Sequence, residues 1–73
     1  MRSLRETRAR AMLSQRALAA RAGVALRTIA AIEAGENVPT FQTMTRLCEA
    51  LRVKPDQVME FAAAIEQRGK DAA

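Results

Sequence analysis

The chain has 73 residues, a net charge of +4 and a pI near 10.6, which allows one small basic domain. It has no His, no Tyr and one Cys, so it can build neither a zinc site nor an intramolecular disulfide, and no nucleophile–base pair suggests an enzyme. No apolar run approaches about 18 residues and the N-terminus lacks the apolar core of a signal peptide, so no membrane span and a cytoplasmic location are expected.

Five helices and no strands are predicted, an all-α fold. Ser3 and Glu6 form a Ser-x-x-Glu capping box opening the first helix, over about 4–12. Ser14 caps the second, which ends at Ala22 before Gly23, where the backbone must turn sharply. Leu18, Ala19 and Ala22 share one face of it. Val24, Ile29 and Ile32 do the same around the third helix, over about 26–34, which stops at Gly35. A polar loop with Pro39 follows. Thr40 caps the fourth helix, whose Phe41, Met44, Leu47, Cys48 and Leu51 recur at three- and four-residue steps. Pro55, at the first helical position, and Asp56 open the fifth. Val58, Phe61, Ala62 and Ile65 form its apolar stripe, and Gly69 ends it.

The stripes merge into one expected core: Leu4, Ala11, Leu13, Leu18, Ala22, Val24, Ile29, Ile32, Leu47, Leu51, Val53, Val58 and Phe61. Cys48 reads as a buried, inert thiol. The single domain, 1–73, has its core within about 4–66, and residues 70–73 are expected to fray. A chain this short buries only about 60–65% of its unfolded surface, so homodimerisation would help.

The charge is uneven. Residues 1–35 hold seven Arg against Glu6 and Glu33, a net +5; residues 36–73 hold five basic and six acidic side chains, a net −1. Ten of the twelve basic residues are Arg, which suits bidentate contacts with phosphate and guanine. The positive field lies over helices two and three and points to an acidic partner. On charge alone, a solvated basic face is the other reading.

Several pieces occur in order at fixed distances. Leu4-Arg5-Glu6-Thr7-Arg8 gives an apolar-Arg-x-x-Arg helix, and Leu13-Ser14-Gln15 opens helix two. Ile32-Glu33-Ala34-Gly35 closes helix three, Pro39 follows in the loop, and Ala50-Leu51-Arg52-Val53 ends helix four. Over residues 4–61 the chain resembles the helix-turn-helix domains of the Cro and phage-repressor family, the xenobiotic-response-element type. The resemblance implies a five-helix lambda-repressor-like DNA-binding domain, with the helix-turn-helix at helices two and three.

It also implies roles. Helix three would read bases through Leu26, Arg27, Thr28 and Ala31, with Arg27 the strong hydrogen-bonding reader. Gln15 would anchor a DNA phosphate and brace the recognition helix. Arg16, Asn37, Thr40, Phe41, Gln42, Arg10 and Arg46 are further candidate phosphate contacts. Arg8 and Glu33 would form a structural ion pair between helices one and three. The chain departs from the family pattern at Ala25, which replaces a Ser or Thr cap, and at Ala30, Ala31, Ala34 and Glu36. The reading surface is therefore thin, which leaves room for low specificity or for readout of DNA shape.

Val58, Met59, Phe61, Ala62 and Ile65 make an apolar surface broader than a core needs, and are expected to form a dimer interface. The expected function is a sequence-specific, homodimeric regulator on double-stranded DNA. A phage-type repressor, an antitoxin with a cognate toxin as partner, and a restriction–modification controller remain equally open. The alternative is a protein-interaction module on the same fold. No cofactor and no small-molecule ligand are expected.

Overall fold

Short polar side chains start three of the helices. Ser3 Oγ accepts the Glu6 N–H at 3.1 Å while Glu6 Oε1 accepts the Ser3 N–H at 3.4 Å, completing the capping box of α1 (Leu4–Arg10). Ser14 Oγ accepts the Ala17 N–H at 3.0 Å and starts α2 (Gln15–Ala22). Thr40 Oγ1 accepts the Thr43 N–H at 3.2 Å and starts α4 (Phe41–Leu51). Between them, α3 (Leu26–Glu33) begins after Ala25, which has no side chain able to cap it. α5 (Met59–Ala72) completes the fold. This is a computed structural model that describes residues 1–72, with side chains through Gly69. The fraying expected of 70–73 falls outside the described side chains, and Ala73 outside the described residues.

Four helices end by one device. Met12 (φ 60), Gly23 (φ 70), Gly35 (φ 75) and Arg52 (φ 57) take the left-handed conformation. The next residue's N–H then reaches back five positions: Leu13 to Arg8 O, Val24 to Ala19 O, Glu36 to Ala31 O and Val53 to Cys48 O, all between 2.9 and 3.2 Å. At Gly35 a second bond, from its own N–H to Ile32 O, completes a Schellman motif. Gly23 and Gly35 adopt this backbone freely; Met12 and Arg52 carry a Cβ there and store strain.

The core lies where α1, α2, α3, α4 and α5 converge. Leu4, Leu18, Ile29, Ile32, Met44, Leu47, Val58 and Phe61 are its largest fully buried members. Each large apolar side chain contributes about 1.5–3 kcal/mol of transfer free energy. Ala19, Ala22, Cys48, Leu51 and Ala64 complete it. Leu13, Val24 and Val53 pack against it half-buried. Ala11 is exposed, because α1 has already ended and the chain is turning toward Met12.

Three expectations need correction. The fifth helix does not start at Pro55. Pro55–Gln57 forms a separate 3-10 turn, held by Lys54 N–H to Gln57 Oε1 at 2.8 Å, and Val58 is extended. The reason is the N-terminus: Arg2 and Val58 form an isolated parallel bridge, and the Met59 N–H donates to Arg2 O at 2.7 Å. Nor does Gly69 end α5; the helix runs through it, because glycine stops a helix only where the backbone turns to positive φ. Finally, Val58 and Phe61 are each 0% exposed, so they belong to the monomer core and not to a dimer surface. Among the described residues, no helix is long and apolar enough to cross a membrane.

Candidate nucleic-acid interface

One carboxylate ties three helices together. Arg8 of α1 donates from Nε to Glu33 Oε2 at 2.7 Å and from Nη2 to Oε1 at 3.1 Å, a two-pronged contact. Its Nη1 donates to the Leu13 carbonyl at 2.9 Å. Gln15, in the first turn of α2, donates from Nε2 to Glu33 Oε1 at 3.0 Å. The Arg8 and Glu33 side chains are 14% and 5% exposed. Burial alone would raise the Glu33 pKa. Hydrogen bonds from Arg8 and Gln15, with the charges of Arg8 and Arg5, outweigh it and hold the carboxyl below its usual range. The hydrogen bond to Glu33 raises the Arg8 guanidinium in turn, against its own desolvation. The pair stays ionised and fixes the end of α3 against α1 and α2.

Above this clamp opens a cleft of about 690 Å³. Arg5, Gln15 and Arg16 line it from α1 and α2; Leu26, Ala30 and Ala34 line it from α3 and its cap. The structure thus brings Gln15 and Arg16 beside the face of α3. Arg5 joins them and was not among the sequence candidates, although its spacing of three from Arg8 puts both on one face of α1.

The outward face of α3 follows from its period. Ile29 and Ile32 point into the core, so Arg27, Ala30, Ala31 and Ala34 come round on the opposite side. Arg27 is exposed and stands alone there as a long polar side chain. Thr28 and Ala31 are half-buried flanking positions. Leu26 is also half-buried and packs against the core, so less of it is free to meet a base than the resemblance implies.

Asn37, Thr40, Phe41 and Gln42 are exposed along the α3–α4 loop and the first turn of α4. The other two candidates lie apart from the cleft. Arg46 donates from Nη1 to the Gly23 carbonyl at 3.2 Å and lines a separate hollow with Arg21 and Arg52. Arg10 lines another, with Arg2 and Leu51. Sequence reasoning also missed two anchors on α5. Glu60 Oε1 accepts the Leu4 N–H at 2.7 Å, placing a carboxylate at the positive end of α1. Arg68 donates to the carbonyls of Pro39 and Val38. Its spacing of seven from Phe61 and four from Ala64 put it in phase with the buried stripe, a signal open to reading.

The helix-turn-helix family profile matches residues 4–58, the span that holds the two short helices joined at the left-handed Gly23. The chain belongs to this family, in its Cro and phage-repressor form. No curated protein and no solved structure matches the chain. The helix-turn-helix proper is α2, the Gly23 turn and α3, and membership makes this a DNA-binding domain.

Proposed function

We propose that the protein is a sequence-specific transcriptional regulator that binds double-stranded DNA as a homodimer, with α3 in the major groove. The observation that carries this is the Arg8–Glu33–Gln15 clamp, which holds α3 with Arg27 outward beside a basic cleft. In this reading Arg27 makes a bidentate contact to guanine. Thr28 adds a polar contact, and Leu26 and Ala31 meet thymine methyl groups. Gln15 and Arg16 hold one phosphate, and Asn37, Thr40, Phe41 and Gln42 hold another. Arg10 and Arg46, set apart from the cleft, make outlying phosphate contacts at most.

The dimer surface in this reading is narrower than the sequence suggested. It consists of Met59, Ala62 and Ile65, at successive steps of three along α5. Met59 is 50% exposed and Ile65 39%. Two-fold pairing through these residues would set two copies of α3 on one side of the duplex.

The test is selection of bound duplexes from a randomised library by the purified protein. The expected product is an inverted repeat with half-sites about 10–11 base pairs apart, bound with a steep loss of affinity on adding salt. No enrichment of any sequence, with duplex retained weakly or not at all at physiological salt, would favour the protein-interaction module instead.

A further inference from the structure

We propose that Arg68 of α5 is a positioning residue for DNA binding: it sets the α3–α4 loop in its DNA-facing shape. This rests on the DNA reading above and extends it to a residue outside the interface.

The loop has two halves. Gly35 and Glu36 are held by backbone bonds to Ile32 and Ala31. The second half, just before the Thr40 cap, is held from another element. Arg68 donates from Nε to Pro39 O at 2.7 Å and from Nη2 to Val38 O at 3.0 Å. A guanidinium presents its donors as a rigid fork, so two adjacent carbonyls received together fix both distance and orientation. Lysine has no such fork. Pro39 is buried and Arg68 half-buried, so the strap is partly shielded from water. Because the carbonyls bound are those preceding Thr40, the strap fixes where α4 begins. It therefore fixes where Asn37, Thr40, Phe41 and Gln42 stand relative to α3.

The location of Arg68 adds a linkage. It sits three residues from Ile65, on the helix that carries the proposed dimer surface. One element then serves both tasks: its inward side straps the DNA-facing loop while its outer shoulder meets the second copy. Loosening α5 would release the loop, and ordering α5 by dimerisation would order it.

The experiment uses the full chain and a 20-base-pair duplex carrying the inverted repeat selected above, with affinity measured by fluorescence anisotropy across a salt series. R68A should weaken binding about three- to tenfold, with the slope of log affinity against log salt unchanged. R16A, which removes a direct phosphate contact, should lower that slope by about 0.9. R68K keeps the charge, gives up the fork, and should stay close to R68A. Backbone amide resonances of Asn37, Val38 and Thr40 should shift in R68A while those of α2 stay in place, which shows that the variant is folded. A slope reduced as in R16A, or full recovery in R68K, would mean that Arg68 meets phosphate directly and would overturn the proposal. So would R68A binding as the wild type does. A wild type that fails to bind the duplex at all removes the DNA reading itself, and this inference with it.

Discussion

Gln15 donates its side-chain N–H to Glu33 Oε1 at 3.0 Å, across 18 positions of the chain. Because a carboxylate only accepts, the contact fixes which end of the amide faces Glu33 and leaves the second Nε2–H free to donate outward. Gln15 is thus braced by the same residue that holds α3.

Two substitutions should separate anchoring from reading. Gln15→Ala should weaken binding to all duplexes alike, by about 1 kcal/mol, the net worth of a typical hydrogen bond. Arg27→Ala should cost about 1–3 kcal/mol and relax the preference at a single base position. Competition binding against a panel of single-base variants of a selected site checks both. An Arg27→Ala protein with unchanged base preference would remove Arg27 from the reading surface.

The Arg8–Glu33 pair should behave as a unit. Arg8→Ala or Glu33→Ala should each cost about 3–5 kcal/mol of stability, since either leaves its partner shielded and unpaired. The double variant should cost much less than the two losses added together. Urea unfolding of the four proteins gives the coupling directly, and simple additivity would show the pair to be idle.

Acid should act through Glu33. Its folded-state pKa lies below the ordinary glutamate value of 4.5, so its contribution is complete above that value and is lost as pH falls through the folded one. Wild type should therefore lose stability below about pH 4.5 faster than Glu33→Gln does, although Glu33→Gln is the weaker protein at neutral pH. Denaturant midpoints measured from about pH 7 down to about pH 3 test this, and parallel curves would contradict it.

Phe61 and Ile65 lie one helical turn apart and should fail differently. Phe61→Ala opens a cavity in the core and should cost about 3–5 kcal/mol of folding stability. Ile65→Glu should leave the fold intact and shift sedimentation from dimer to monomer. If Ile65→Glu unfolds the protein, or wild type stays monomeric at high micromolar concentration, α5 does not carry the dimer.

Met12 is 91% exposed and left-handed, so its side chain adds strain and almost no packing. Met12→Gly should raise stability by about 0.5–1 kcal/mol: relief of about 1–2 kcal/mol of strain, less the entropy that glycine loses on folding. Thermal unfolding reads the gain, and a drop would mean that Met12 is not strained.

Local signals carried most of the fold. The caps at Ser3, Ser14 and Thr40 and the turns at Gly23 and Gly35 are decided within a few residues, so the sequence displays them. What failed needed partners distant in sequence. Pro55 looks like a helix start until Arg2 draws Val58 into an extended pairing. The stripe of α5 is visible, but which shoulder the core covers is not, so the sequence assigns Val58 and Phe61 to the core and to a dimer surface at once. The left-handed Met12 and Arg52 give no glycine to mark them. At the site, family resemblance supplied the Arg8–Glu33 pair, whereas Arg68 and Glu60 act across 29 and 56 positions and were passed over.

The bonds that join Arg2 and Leu4 with Gln57, Met59 and Glu60 make the chain a nearly closed ring, fastened by a clasp of a few hydrogen bonds. Closing a ring of that length costs entropy that only the last contacts repay, so the clasp belongs to the late stages of folding. It is also where the ring opens most cheaply. A form with α5 swung away would keep the α2–α3 pair, yet lose the carboxylate that caps α1 and the strap on the loop before α4.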